Sequence, residues 1–281
     1  MRLRSLLFVP GDRPDRMAKA LTTGADALIL DLEDAVALSQ KAGARSAVAD
    51  FLTQPREVPL VVRVNPLDSG MIDEDLAAVL PGLPDAIMLP KAEGRASLKA
   101  LDAKLDWAGA RDTGILPIAT ETPAAMFQLG TYGGVTNRLI GLTWGAEDLP
   151  AAIGAATSRE EDGSYTAPYA LARSLTLFGA AAAGVAPIET VYPAFRDLEG
   201  LGAYAARARR DGFTGMMAIH PAQVPVINTA FTPSADEIAH ARAVIAAFAE
   251  NPDAGALSLD GKMIDRPHVK QAERILASAG E

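Results

Sequence analysis

A chain of 281 residues that is 49 % hydrophobic and 22 % charged can bury a sizeable core, which excludes gross disorder. Its formal charge of −9 comes without any basic cluster interleaved with aromatics, so the footprint of a nucleic-acid binder is missing. The absence of cysteine removes disulfides, thiolate nucleophiles and thiolate-bound zinc, and fits a reducing compartment.

Short apolar runs alternate with helical stretches along the chain. A run at 5–10 precedes a helical stretch at 14–23, 27–32 precedes 40–52, 60–64 precedes 72–80, and 86–90 precedes 96–107. The pattern continues with 115–119 and 123–129, 139–144 and 169–183, 186–191 and 198–211, then 216–219 and 221–230. Such strand–helix units in series predict parallel strands joined by helical crossovers. The runs 27–30 and 60–62 are apolar at every position, as strands covered on both faces must be. Eight units close a barrel more naturally than they fill an open sheet. An open doubly wound sheet is the alternative, although no G-x-G-x-x-G follows the first strand. The expected fold is α/β, a (β/α)8 TIM barrel over 1–231 with a C-terminal helical extension over 232–281. Within the extension, 234–249 reads as a helix opened by a Ser234/Glu237 capping box. Residues 251–261 read as a Gly-, Pro- and Asp-rich loop, and 266–279 as a final helix. The apolar run at 6–10 is too short for a signal-peptide core and no stretch is long enough to span a bilayer. A soluble, cytoplasmic protein with no membrane partner is the expectation.

Barrel enzymes build their sites at the C-terminal ends of the strands. Polar residues gather at those ends here, among them Asp31, Glu33, Asp34, Arg63, Lys91, Glu121 and Asp148, whereas the opposite ends read as plain turns. That asymmetry points to an enzyme. Carboxylates outnumber histidines, so a metal at these ends would be a hard cation, Mg2+ or Mn2+, held by oxygen. Glu121 and Asp148 end neighbouring strands, so one ion can reach both and keep positions open for substrate. Each also has a plainer reading: Glu121 as the N-terminal carboxylate of a helix near Pro123, Asp148 as the cap of one beginning at Pro150. Arg63 interrupts an apolar strand and requires a partner, either Glu33 or Asp34 or a substrate carboxylate. Lys91 is either a Schiff-base lysine or an ion pair with Glu93, and His220 either a structural histidine or a site residue. No G-x-S-x-G elbow supports a serine hydrolase.

Taken together the segments resemble a known family. LFVPGDRP at 7–14, DALILDLEDAV at 26–36, RVN at 63–65, LPKAE at 89–93, ETP at 121–123, GAEDL at 145–149, AIHP at 218–221 and GKMID at 261–265 stand in family order. They resemble the citrate lyase β-subunit-like, or HpcH/HpaI aldolase, family from about residue 3 to 276. The resemblance implies a homotrimer or hexamer, with Mg2+ on Glu121 and Asp148 and Arg63 on the carboxylate of a 2-oxo acid. It implies that Phe8 and Lys19 line a CoA thioester site, with Ile219 and His220 forming a backbone-rich contact to CoA. Many relatives carry a basic residue where this chain has Asp15, and Arg13 and Arg16 are the nearby cations that can replace it.

Asp265 matches an aspartate that, in the stand-alone CoA enzymes, reaches a neighbouring subunit's site. The implied activity is a Mg2+-dependent carbon–carbon (oxo-acid) lyase. It would cleave a 3-hydroxyacyl-CoA of malyl-CoA, citramalyl-CoA or β-methylmalyl-CoA type into a 2-oxo acid and an acyl-CoA. The reverse condensation, with or without thioester hydrolysis, belongs to the same reading. Arg63 and Glu121 would hold substrate, Asp265 would act as acid/base, and Glu33 and Asp34 would position Arg63 and water at the metal. The alternatives are a citryl-acyl-carrier lyase β subunit, a Mg2+-dependent aldolase on free 2-oxo acids, and a non-catalytic barrel that binds CoA esters.

Overall fold

Among the described residues, 2–280 of a computed structural model, eight strands pair in parallel. They are β1 (Ser5–Pro10), β2 (Ala27–Asp31), β3 (Leu60–Arg63), β4 (Ala86–Leu89), β5 (Gly114–Pro117), β6 (Gly141–Thr143), β7 (Ala186–Glu189) and β8 (Gly215–Ala218). The hydrogen-bonded order is β5-β4-β3-β2-β1-β8-β7-β6. Parallel bridges Ile115↔Leu139 and Ile118↔Thr143 join β5 to β6 and close the ring, so the fold is the (β/α)8 barrel and not the open sheet. β2 and β4 are buried at every position, which is why their sequences do not alternate. With few aromatics in the chain, aliphatic and Met side chains fill the interior: Leu6, Ile29, Val61, Met88, Leu116 and Ile188 form one cluster. Register places Pro10 beside Asp31, Asp31 beside Arg63, and Arg63 beside Met88. Neighbours in parallel register point to the same face, so this pairing brings Asp31 and Arg63 together.

The helices of this part are α1 (Pro14–Ala20), α2 (Lys41–Leu52), α3 (Ile72–Val79), α4 (Arg95–Trp107), α5 (Asp148–Ile153), α6 (Ala167–Ala183), α7 (Leu198–Asp211) and α8 (Gln223–Ala230). Two differences from the sequence expectation concern the site. The stretch 123–129 is not an α-helix but contributes to two 3-10 turns, Ala125–Phe127 and Leu129–Thr131. Gly130, Gly133 and Gly134 follow closely, and glycine is too poor a helix former to let the first turn propagate. The short helix α5 lies in the connection after β6 and is stopped by Gly154, at φ 72°.

The chain divides into two compact units, Met1–Asn228 and Thr229–Glu281. The second contains α9 (Ala235–Glu250), a hairpin of β9 (Ala256–Leu259) and β10 (Lys262–Asp265), and α10 (Arg266–Ala279). Its own core gathers Ala241, Val244, Phe248, Ile264 and Ala272. The Ser234/Glu237 capping box forms: Ser234 Oγ accepts from Glu237 N at 3.2 Å, and Ser234 N donates to Glu237 Oε2 at 2.7 Å. The expected loop at 251–261 is corrected, because β9 lies within it. Leu257 and Leu259 alternate with small residues and pack on the second core, while Asp260 and Gly261, both left-handed, make the two-residue turn. No helix among the described residues is long and apolar enough to cross a membrane.

Candidate active site

The carboxyl ends of the barrel strands surround a cavity of about 360 Å³ whose wall includes Phe8, Asp31, Arg63, Glu121, Asp148 and Ile219. Larger hollows of about 500 and 760 Å³ lie beside α7 and between α3 and α4. The smaller cavity is the one into which several different strands present charged groups, the arrangement barrel enzymes use.

Arg63 is the hub of one side. Its Nε and Nη2 donate to the two oxygens of Asp31 at 2.7 and 2.6 Å, a bidentate fork. Its Nη1 lies 3.0 Å from Glu33 Oε2 but off the hydrogen-bond direction, so that buried oxygen accepts no hydrogen bond. The guanidinium centre sits 4.9 Å from the centroid of the Phe8 ring. Asp31 also accepts the N–H groups of Glu33 at 2.8 Å and Ala35 at 3.1 Å, which folds the strand-2 loop around its carboxylate. Lys41 Nζ ties that loop to Asn65, donating to the carbonyls of Leu32 and Glu33 and to Asn65 Oδ1. The partner expected of Arg63 is thus corrected in part. It pairs with Asp31 and Glu33, whereas Asp34 is exposed on the cavity wall. Asp34 faces solvent because the Asp31 carboxylate holds the turn at Glu33 and Ala35, the residues that flank it.

Lys91 and the two candidate metal ligands form the other side. Glu121 is buried, and its Oε2 accepts the N–H of Lys91 at 2.6 Å. Burial, reinforced by the charges of Asp148 and Glu33, pushes the Glu121 carboxyl up to about 8. Asp148 is the first residue of α5 and not its cap, and its Oδ1 lies 3.6 Å from Lys91 Nζ. Neither plainer reading survives: no α-helix starts behind Glu121, and α5 has no side-chain cap.

Lys91 Nζ donates to Glu33 Oε1 at 2.7 Å, while Glu93, its expected partner, accepts from Thr122 Oγ1 at 2.7 Å. Burial lowers Lys91, but the hydrogen bond and charge of Glu33, with the charges of Glu121 and Asp148, outweigh it and leave the ammonium stabilised. A Schiff-base lysine needs the opposite shift. Burial raises the Glu33 carboxyl against the pull of Arg63 and Lys91.

Charge balance tests whether a metal fits. The carboxylates of Asp31, Glu33, Glu121 and Asp148 meet the two cations Arg63 and Lys91, which leaves a formal −2 when all are ionised. A hard dication with oxygen ligands cancels that charge, so the donor set fits Mg2+ or Mn2+. Among the described residues no cluster of three or more His, Cys, Asp or Glu side chains forms a ready-made cage. Two carboxylates with the remaining positions left to water and substrate is the habit of Mg2+.

Gly145 makes the close approach possible. A Cβ built there would stand 2.7 Å from Glu121 Cγ and 3.0 Å from Oε1. Gly145→Ala is therefore expected to cost about 1–3 kcal/mol of stability by overpacking. It should also reduce turnover about 100-fold by displacing Glu121. A urea melt and steady-state rates check both; unchanged rates would show that Glu121 need not hold this position.

The remaining expected residues are dispersed. Arg16 lies on the cavity wall, while Lys19 is exposed in the last turn of α1 and off that wall. Arg13 is paired with Asp15 at 3.3 Å. The N–H groups of Ile219 and His220 both donate to Gln223 Oε1, at 2.9 and 3.1 Å, so these donors are already used. The His220 ring stacks on Phe195 with centroids 5.1 Å apart. Asp265 belongs to the second unit, where it precedes α10 and its Oδ1 lies 2.5 Å from His268 Nδ1.

The HpcH/HpaI aldolase/citrate lyase family profile matches residues 4–221, nearly the whole barrel. The chain belongs to this family. A citrate lyase subunit beta-like protein of Mycobacterium tuberculosis is 38 % identical over 275 residues, covering 98 % of this chain and 95 % of its own length. A (3S)-malyl-CoA thioesterase of Cereibacter sphaeroides is 36 % identical over 292 residues, covering 98 % and 94 %. The crystal structure of M. tuberculosis CitE in complex with magnesium, acetoacetate and coenzyme A superposes with a TM-score of 0.83. It is 37 % identical and covers 100 % of this chain and 99 % of its own.

The sequence leaves three residues of this HpcH/HpaI family member without a settled role in the site. Asp31 was visible as one of three clustered acids, and the parallel register with Arg63 is the signal that selects it. Lys91 pairs with Glu33, which is distant in sequence, and not with its neighbour Glu93. Glu189, wholly buried at the end of β7, accepts from Trp144 Nε1 at 2.5 Å, Tyr204 Oη at 2.9 Å and Arg173 Nε at 2.7 Å. It braces Trp144, the residue immediately before the 145–147 loop that leads to Asp148.

Proposed function

We propose that the chain is a Mg2+-dependent carbon–carbon lyase acting on a 3-hydroxyacyl-CoA thioester, which it divides into a 2-oxo acid and an acyl-CoA. The observation that carries this reading is one cavity wall shared by a forked arginine, Arg63, and two carboxylates from adjacent strand ends, Glu121 and Asp148. The similarity to a CitE whose structure holds magnesium, acetoacetate and coenzyme A supports it. Mg2+ held by Glu121 and Asp148 supplies a Lewis acid for the oxygens of the oxo-acid half.

The residues of the chain supply the rest. Asp31 fixes the plane of the Arg63 guanidinium, whose remaining N–H groups and charge bind the oxo-acid carboxylate. Glu33 holds Arg63 and Lys91 in place, and Asp34 meets solvent on the wall. Phe8, Arg16 and Ile219 give the thioester an apolar and cationic wall, and the family resemblance alone adds Lys19 and His220 to its path. In cleavage the substrate hydroxyl passes its proton to water in the cavity, the carbon–carbon bond breaks, and its electrons pass into the thioester enolate, while a protonated Asp265 supplies the balancing proton. Asp265 returns a proton to the enolate carbon, or removes it in condensation. That role follows from the resemblance of segment 261–265, which also assigns Asp265 to the site of a neighbouring copy in a homotrimer or hexamer. The 36 % identity to a (3S)-malyl-CoA thioesterase favours a second reading in which thioester hydrolysis replaces or follows the carbon–carbon step.

Asp265→Asn tests the assignment. Turnover is expected to fall by roughly 10²–10⁴-fold, the usual worth of a positioned acid/base. Divalent-cation binding and the assembled mass should stay unchanged. Unaltered turnover removes Asp265 from the mechanism.

A further inference from the structure

Lys91 makes contact with Glu33, Glu121 and Asp148 together. Its N–H donates to Glu121 Oε2 at 2.6 Å, its Nζ donates to Glu33 Oε1 at 2.7 Å, and the same Nζ stands 3.6 Å from Asp148 Oδ1. The backbone that permits this is left-handed, at φ 51°, one of three such non-glycine residues among the described residues. The other two, Leu83 and Asp260, cap a 3-10 turn and form the hairpin turn. A lysine in this conformation carries local strain, which folds retain where surrounding contacts demand it. Here those contacts are carboxylates.

We propose that Lys91 is a resident counter-cation that competes with the divalent metal for Asp148. The inference rests on the assignment of Glu121 and Asp148 as metal ligands, and it makes Lys91 a positioning residue. Without a metal, the ammonium relieves the repulsion between Glu33 and Asp148. A dication on Asp148 and an ammonium 3.6 Å from the same carboxylate repel one another strongly in a partly buried site. The longer contact, to Asp148, is the one that yields, and the 2.7 Å bond to Glu33 retains the displaced ammonium. Glu33 is suited to that duty because it is buried and anchored by Arg63 on its other oxygen. The price of entry falls on the metal, so the free enzyme holds its cation loosely. Neutralising Lys91 therefore strengthens metal binding, an effect opposite to that of removing a structural support.

The test is Mn2+ titration of the full-length, EDTA-stripped protein, with free Mn2+ read by electron paramagnetic resonance. Wild type, Lys91→Met, Lys91→Arg and Asp148→Asn are compared. Asp148→Asn should bind more weakly than wild type, and Lys91→Met more tightly by roughly tenfold or more through lost repulsion. Lys91→Arg, which keeps the charge, should stay close to wild type. Should Lys91→Met fail to fold by circular dichroism, Lys91→Gln removes the charge in its place. Equal or weaker binding by the neutral variant, with Asp148→Asn still impaired, overturns the role of Lys91 and spares the ligand assignment. Wild-type affinity in Asp148→Asn overturns the ligand assignment and this inference with it.

Discussion

Arg63→Met is expected to destabilise the barrel by about 3–5 kcal/mol and to abolish turnover, because it removes one partner of a buried ion-pair network. Asp31 and Glu33 have side chains only 1 % and 4 % exposed, so neither can turn to water when the guanidinium is gone. Their charges would face each other across the strand-2 turn, where Glu33 N is bonded to the Asp31 carboxylate. Equilibrium urea unfolding measures the loss, and a midpoint equal to wild type would show that the network contributes nothing. Arg63→Lys separates stability from function. It keeps a charge for Asp31 but cannot reproduce the fork, so the fold should largely survive while use of the oxo acid is impaired.

Glu121→Gln should do the reverse. Glutamine preserves the shape and can still accept the Lys91 N–H, and above about pH 8, where the Glu121 carboxyl ionises, it removes a buried charge beside Asp148 and Glu33. The metal-free variant is expected to melt at or above the wild-type temperature, since a like-charge contact is relieved. Mn2+ binding should be lost and turnover should fall by roughly 10³-fold or more, the Lewis acid being worth several kcal/mol. Calorimetry and rate measurements together decide the matter. A variant that melts lower and keeps its activity would make Glu121 a structural residue.

Much of the barrel was legible because burial leaves a direct mark on sequence. β2 and β4 are covered on both faces and read as uninterrupted apolar runs, so their ends were located within about a residue or two. The isolated charge of Arg63 in an apolar strand was equally plain, since a buried guanidinium must have a partner. Its identity was not, because choosing Asp31 over Asp34 depends on inter-strand register, which a one-dimensional pattern does not carry. Lys91 shows the same limit more strongly: its partners come from the ends of β2 and β5 and the start of α5. The capping box at Ser234 was readable because it is local in sequence. The β9–β10 hairpin was local too, and its Asp260-Gly261 turn was hidden by a composition that resembled a loop. Gln223 is a further case, since its side chain occupies the Ile219 and His220 N–H groups that the family resemblance offered to CoA.

The most direct measurement is a mass-spectrometric assay of the full chain with Mg2+, given malyl-CoA, citramalyl-CoA and β-methylmalyl-CoA in turn, beside an EDTA control. Metal-dependent appearance of acetyl-CoA or propionyl-CoA together with glyoxylate or pyruvate is the expected result, and the productive ester names the acyl group. Release of free CoA with the hydroxy acid intact would replace the lyase by a thioesterase. No turnover of any ester, or turnover untouched by EDTA, would contradict the proposal that Glu121 and Asp148 hold a metal for carbon–carbon cleavage of a CoA thioester.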